Sequence, residues 1–338
     1  MSSGPAAGPP ARPADASAPA CLIVNPLSFL NSRGLAARAE VVARAAGADV
    51  VRAHEPDGLQ AAVEAVLSRR QQHLVVLAGD GTVQAIVDQL ARQPEGAWLP
   101  DLMVLPGGRS NLTAADLVPS ADVLGSLERG LRMASAGGWG PALVPRALLR
   151  IEQPPAPPRH GFFVAGALID SIVRRTHAYR ARGTGAWHIG PHSSAWFVVG
   201  LGLRALVGDV GLSCPELVID AGATGRLQGP TRVLLATTLE HRQGLFDPYA
   251  DRGTGALRLT AVSRAAPGFV RSLPRLLTGR FSAAMDTGHG MLSGRCERVE
   301  VMGLSSYCLD GEEFDSDPAR PVVLTPVHRL RFLSLARP

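Results

Sequence analysis

The chain has 338 residues, enough for one large or two ordinary domains, with 46% hydrophobic and 19% charged residues, so a substantial core is expected. Net charge is +5, a mild basic excess that suits an anionic ligand or an anionic membrane surface but is too diffuse to argue for nucleic acid. All 34 basic residues are arginine, which excludes a P-loop kinase, because that loop requires a phosphate-binding lysine. The four cysteines, Cys21, Cys214, Cys296 and Cys308, contain no C-x-x-C pair, so neither a zinc site nor a redox motif is expected. Isolated thiols suit a reducing cytoplasm.

Residues 1–20 are rich in Pro, Ala, Ser and Gly without an apolar h-region, and read as a disordered tail rather than a secretory signal. No apolar run reaches transmembrane length; the longest, Ala195 to Val207, is broken by Arg204. Cys21–Val24 is a short apolar run closed by Asn25-Pro26, and the polar turn behind it carries Ser28, Asn31, Ser32 and Gly34. A helix from about Leu35 to Ala46, a strand at Asp49–Ala53 and a helix from about Gly58 to Arg70 follow.

Leu74–Leu77 reads as a buried parallel strand, and Val83, Ile86, Val87 and Leu90 stand at helical spacing behind Ala78-Gly79-Asp80-Gly81-Thr82. Strand, glycine turn and helix is the geometry in which backbone N–H groups and a helix N-terminus meet an anion. Gly79 and Gly81 permit close backbone approach to a phosphate. Asp80 would repel a phosphate unless a metal or a proton transfer gives it a purpose; the simpler reading is a tight turn with Thr82 as N-cap. Leu102–Leu105 is a fourth strand, ending in a second glycine turn, Pro106-Gly107-Gly108-Arg109-Ser110-Asn111. Alternating strands and helices predict βαβ units around a parallel sheet, with the turns at 25–34, 78–82 and 106–111 all at its carboxyl edge.

The texture changes near residue 145. Pro154, Pro155, Pro157 and Pro158 read as a connector that neither helix nor central strand would tolerate. Beyond it, Phe162–Ala165, Leu217–Ile219, Arg232–Ala236, Ala256–Val262, Val299–Met302 and Val322–Leu324 predict a mostly antiparallel second domain. Helices are expected at about Ser193–Leu206 and about Pro267–Leu277, and the strand His328 to Leu333 is expected to rejoin the first domain. The organisation expected is therefore a tail (1–20), an α/β domain (21–145, completed by about 326–338) and a β-rich domain (146–325).

Val24-Asn25-Pro26, Ala78-Gly79-Asp80-Gly81-Thr82, Leu105-Pro106-Gly107-Gly108-Arg109-Ser110-Asn111 and Leu309-Asp310-Gly311-Glu312 together resemble the diacylglycerol kinase catalytic-domain family, which includes bacterial soluble lipid kinases, sphingosine kinases and ceramide kinases. The Gly-Asp-Gly-Thr run alone is shared with NAD kinases and phosphofructokinase-like enzymes; the four-part set is far more specific. The resemblance implies a parallel α/β nucleotide-binding domain and an antiparallel β-sandwich domain with the cleft between them, an ATP- and Mg²⁺-dependent lipid kinase, and a cytoplasmic protein working peripherally at a membrane surface. It implies no nucleic-acid partner and leaves a homodimer open. Carried over by position, Asn25, Pro26 and Ser28, then Gly79, Asp80, Gly81 and Thr82, then Gly107, Gly108, Arg109, Ser110 and Asn111 correspond to the nucleotide site, with Asp80 at the metal. Asp310 and Glu312 correspond to the acidic pair in which the base that activates the lipid hydroxyl is expected; which of the two is the base stays open. Asp170 corresponds to a position near the cleft, where it orients substrate or caps a helix.

The chain departs from the family pattern at three places. Ala78 replaces the first glycine of the usual Gly-Gly-Asp-Gly-Thr. Arg109 stands where a threonine would meet a phosphate, to hold a phosphate itself or to point to solvent, and the acid after Asn111 is replaced by Leu112. Thr237-Thr238-Leu239-Glu240-His241 replaces an asparagine-and-glycine run, which suggests a divergent acceptor. Arg174, Arg175, His177, Arg180 and Arg182, followed by Trp187, Trp196 and Phe197, form either a bilayer-docking cluster or a solvated helix face with core aromatics. A kinase of a soluble acceptor and a catalytically silent nucleotide- or lipid-binding member are the two rival readings.

Overall fold

The computed structural model describes residues 20–171, 173–174, 214–240, 247–282 and 285–335. The expected helix at about Ser193–Leu206 and all of the basic and aromatic cluster except Arg174 lie outside these residues. The first half alternates β1 (Cys21–Val24), α1 (Leu35–Ala45), β2 (Asp49–Arg52), α2 (Pro56–Ser68), β3 (His73–Ala78), α3 (Asp80–Ala91) and β4 (Asp101–Pro106). Two helices not anticipated as separate elements, α4 (Leu112–Leu117) and α5 (Val123–Ser135), and a short strand β5 (Leu143–Pro145) complete it. β1, β3 and β4 are wholly or almost wholly buried because helices cover both faces of the sheet, which is why they read as unbroken apolar runs rather than alternating ones.

The second half holds β6 (Leu148–Gln153), β7 (Ala156–Gly161), β8 (Phe163–Ala167), β9 (Glu216–Asp220), β10 (Arg226–Thr237), β11 (Leu257–Ser263), α6 (Phe269–Leu277), β12 (Met291–Cys296), β13 (Val299–Met302), β14 (Ser306–Leu309), β15 (Glu312–Asp315) and β16 (Val322–Val327). The last strand, β17 (Arg331–Leu333), lies between β4 and β5 in the first sheet, whose order is β2-β1-β3-β4-β17-β5. β1, β2, β3 and β4 pair parallel, as does β17 with β4; only β5 runs against its neighbour. The chain direction reverses its strand-to-strand progression between β1 and β3, so the crevice beyond their carboxyl ends is the switch point at which such sheets bind ligands.

The named strands of the second half pair antiparallel throughout. β10 is shared: Arg226–Pro230 pairs with β9, and after a register shift near Thr231 the rest pairs with β8 and β11. That strand passes from one layer to the other, and Leu149, Ile151, Ile219, Val299 and Leu324 of the first layer pack with Val164, Leu234, Leu259, Leu292 and Leu309 of the second. The result is a β-sandwich. The proline stretch corrects the sequence reading. Pro154-Pro155 forms the turn between β6 and β7, and Pro157 and Pro158 lie within β7 itself. β7 ends the strand order, so the missing N–H groups of its prolines need not break a ladder on both sides.

Candidate functional site

Three loops meet at the carboxyl edge of the parallel sheet. Asn25 closes β1; its backbone N–H donates to Leu77 O at 3.2 Å and its side-chain amide to the Thr82 hydroxyl at 2.8 Å. Asn31, buried, donates to Asn25 O at 2.7 Å and Leu77 O at 2.9 Å, and so pins the first loop onto β3. Ser28 Oγ accepts from Gly79 N at 3.2 Å, Leu30 N donates to Gly107 O at 2.8 Å, and Gly107 N to Ala78 O at 2.9 Å. Pro26 separates the two anchoring residues of this loop.

The glycines are required by contact. A Cβ on Gly108 would lie 2.5 Å from Gly79 Cα, and one on Gly107 2.9 Å from the Ala78 backbone. Their amides are not free donors: Gly108 N donates to Asn111 Oδ1 at 2.7 Å, and Asn111 Nδ2 returns a bond to Gly108 O at 3.1 Å, with Asn111 itself left-handed (φ 53°). The expectation that these turns offer their N–H groups to a phosphate therefore narrows to the first turn of α3. Its N-cap is Gly79, not Thr82, and the first intrahelical bond is Val83 N to Gly79 O, which leaves the amides of Asp80, Gly81 and Thr82 at the positive end of the helix.

Asp80 is the first residue of α3. Its Oδ1 accepts weakly from Thr113 N at 3.4 Å. Burial raises its pKa, and the amides of Leu112, Thr113 and Asn111 pull the other way. Asp310 is buried in a left-handed turn (φ 49°) between β14 and β15, and accepts from Phe162 N at 2.8 Å and Phe163 N at 2.9 Å. Gly161 is needed here, because a side chain on it would collide with that carboxylate. Burial pushes the Asp310 pKa up to about 8; the charge of Asp80 adds to the rise and the two amides oppose it. Glu312 opens β15, is exposed, and lies against the first turn of α3, where a Cβ on Gly81 would strike its carboxylate. The structure thus brings Asp80, Asp310 and Glu312, from two domains, to one crevice.

Residues that sequence reasoning missed hold the two domains in register. Gln84 Nε2 donates to His160 O at 2.9 Å, and Asp88 Oδ1 accepts from His160 N at 2.8 Å with His160 Nδ1 at 3.0 Å. β7 is thereby fastened along α3, on the helix that begins with Asp80. Beside this contact opens a cleft of about 610 Å³, bordered by Gly81, Thr82, Gln84, His54, Arg159 and Glu312. The helical periodicity of α3 marks Gln84 and Asp88 only as polar; nothing local shows that they meet a strand more than 70 residues away.

Asp170 is buried behind β8 and bonded to Ser306 Oγ at 2.6 Å and Arg174 Nε at 3.1 Å. Arg174 also donates to Phe314 O at 2.8 Å and pairs with Asp315 at 3.1 Å. Arg174 is therefore tied to the acidic hairpin rather than presented to a bilayer. Arg109 and Ser110 are exposed, and the Arg109 guanidinium stacks over Phe29 at 4.5 Å. In the replaced run, Thr237 Oγ1 donates to Phe162 O at 2.9 Å, and Glu240 N donates to Asp116 Oδ1 at 2.9 Å, so this stretch also borders the crevice.

No cluster of three or more metal-ligating side chains occurs among the described residues. Mg²⁺ is typically held by one or two carboxylates, waters and a substrate's own oxygens. Two neighbouring carboxylates of raised pKa, with only backbone amides on them, supply the hard oxygen donors such an ion takes.

Residues 19–135 match the family described as diacylglycerol kinase catalytic domain. Among solved structures, one described as a diacylglycerol kinase from Bacillus anthracis str. Sterne is 13% identical, covers 94% of this chain and 97% of its own, and superposes with a TM-score of 0.60. Two more from the same strain, named provisionally as diacylglycerol kinases, are 13% and 14% identical, with TM-scores of 0.64 and the same 94% coverage of this chain. At these identities the likeness shows the fold. A comparison with proteins of curated function found no match.

Proposed function

We propose that the chain, whose residues 19–135 match the family described as diacylglycerol kinase catalytic domain, is an ATP- and Mg²⁺-dependent lipid kinase. Its acceptor is the hydroxyl of a lipid such as diacylglycerol, ceramide or a sphingoid base, met at a membrane surface. The observation that carries this reading is the meeting of Asp80, from the α/β domain, with Asp310 and Glu312, from the sandwich, at one crevice.

Phosphoryl transfer needs positioning and charge neutralisation more than covalent chemistry. Bound Mg²⁺, held through Asp80, would neutralise charge on the triphosphate. The amides of Gly81 and Thr82 in the first turn of α3 meet a phosphate, and Asn25 holds Thr82, so the turn is pre-set. Asp310 or Glu312 takes the proton of the lipid hydroxyl, a role worth about 10²–10⁴-fold in rate. Asp310 has the raised pKa of a base, whereas Glu312 has the exposure to reach a substrate. No helix among the described residues is long and apolar enough to cross a membrane, in keeping with an enzyme that visits the bilayer from outside.

One observation favours a second reading, a nucleotide-binding member that does not transfer phosphate: the amides of Gly79, Gly107 and Gly108 are all spent within the protein. Labelled ATP and total lipid extract decide between them. A kinase yields a labelled lipid of mass increased by one phosphate; retention of nucleotide with no labelled lipid supports the second reading.

A further inference from the structure

The first loop carries a feature that the proposed chemistry leaves unused. The guanidinium of Arg33 lies 4.0 Å and that of Arg109 4.5 Å from the centroid of the same Phe29 ring. Phe29 is fixed between two anchored neighbours: Ser28 Oγ accepts from Gly79 N, and Leu30 N donates to Gly107 O. The backbone on either side of Phe29 is therefore tied to both glycine turns, and each arginine reaches the ring from a different segment. Both arginines are exposed, and neither forms an ion pair among the described residues. Two unneutralised guanidiniums held on one aromatic ring repel each other, and an anion carrying more than one negative charge relieves that repulsion. Asp80, Asp310 and Glu312 are acidic and Arg159 borders the cleft beside Glu312, whereas Arg33 and Arg109 bring two positive charges to the glycine-turn edge.

We propose that Arg33 and Arg109, aligned by Phe29, form a clamp for the polyphosphate of the bound nucleotide. The inference rests on the nucleotide-binding reading above and says which residues grip the anionic part of the nucleotide. The planar fork of each arginine binds phosphate oxygens in pairs, which a threonine hydroxyl at position 109 would not do. Phe29 is a positioning residue: it holds the two forks ready without touching the ligand.

The test is equilibrium binding of the full chain to three probes: the non-hydrolysable imido analogue of ATP with Mg²⁺, AMP and adenosine. Circular dichroism checks that each variant is folded. Arg33→Ala and Arg109→Ala each weaken the ATP analogue by at least tenfold, AMP by less, and adenosine by under twofold. Arg109→Lys recovers only part of the loss, and Phe29→Leu weakens the analogue while leaving adenosine unchanged. Equal affinity of the arginine variants and the native chain for the ATP analogue overturns the clamp while leaving the nucleotide site standing. Native protein that binds none of the three probes overturns both readings. Co-sedimentation with phosphatidylglycerol vesicles separates the two sources of phosphate: if the variants lose vesicle binding but keep nucleotide affinity, the arginines serve lipid headgroups and the clamp is wrong.

Discussion

Asp80, Asp310 and Glu312 sit in different environments, and so they should fail differently. Asp80→Asn and Glu312→Gln keep side-chain size; the expected result is a folded protein whose turnover drops by about 10²-fold or more, read by labelled-phosphate transfer. Asp310 adds a pH signature. Its folded-state pKa, about 8, lies above the ordinary 3.8, so between those values the native chain holds a proton that the unfolded chain has released. Its contribution to stability is full below the ordinary value and is lost as pH rises towards the folded one. Thermal unfolding in the presence of a chelator should show the native midpoint falling between pH 5 and pH 8 more steeply than that of Asp310→Asn. An equal fall in both proteins would mean that the buried carboxyl is not the titrating group. Gly108→Ala belongs to the same scale: its methyl would press on the Gly79 backbone, at an expected cost of about 1–3 kcal/mol from overpacking, together with weakened nucleotide binding.

Among the elements, the contact between α3 and β7 joins the domains. Asp88 receives two bonds from His160 and also pairs with Arg92 at 2.6 Å. Asp88→Ala leaves the half-buried His160 amide without its acceptor, which should cost about 1–3 kcal/mol, seen as a lower denaturant midpoint. Because β7 runs directly into Gly161 and Phe162, which contact Asp310, the same variant should lower kcat as well as stability. Little of this contact is legible in the sequence. The prolines of β7 read as a connector, since an isolated segment does not reveal that it will occupy a sheet edge. The hairpin of β14 and β15 is likewise legible only as a motif, Asp-Gly-Glu, because its alternation is short and the residues that tie it down, Arg174 and Asp170, are distant in the chain.

At the level of the whole molecule, the C-terminal strand crosses back to finish the first sheet. Phe332 of β17 is fully buried and meets Phe162 edge-on at 5.8 Å, so the closing strand braces the segment that binds Asp310. Phe332→Ala should cost about 3–5 kcal/mol and depress activity, measured as a lower unfolding midpoint with reduced phosphate transfer. A variant with an unchanged midpoint would show that β17 does not brace the crevice.

The sequence by itself determined the parallel strands, their glycine turns and the edge at which those turns gather, because apolar runs, helical spacing and glycine act over a few residues and need no distant partner. It also determined the residue types of the acidic pair. Only the tertiary structure decided that Asp310 would be buried on the amides of Phe162 and Phe163, that Glu312 would face the first turn of α3, and that Arg174 would serve the acidic hairpin. Burial and electrostatic coupling depend on which segments pack together, and here the partners stand more than a hundred residues apart in the chain.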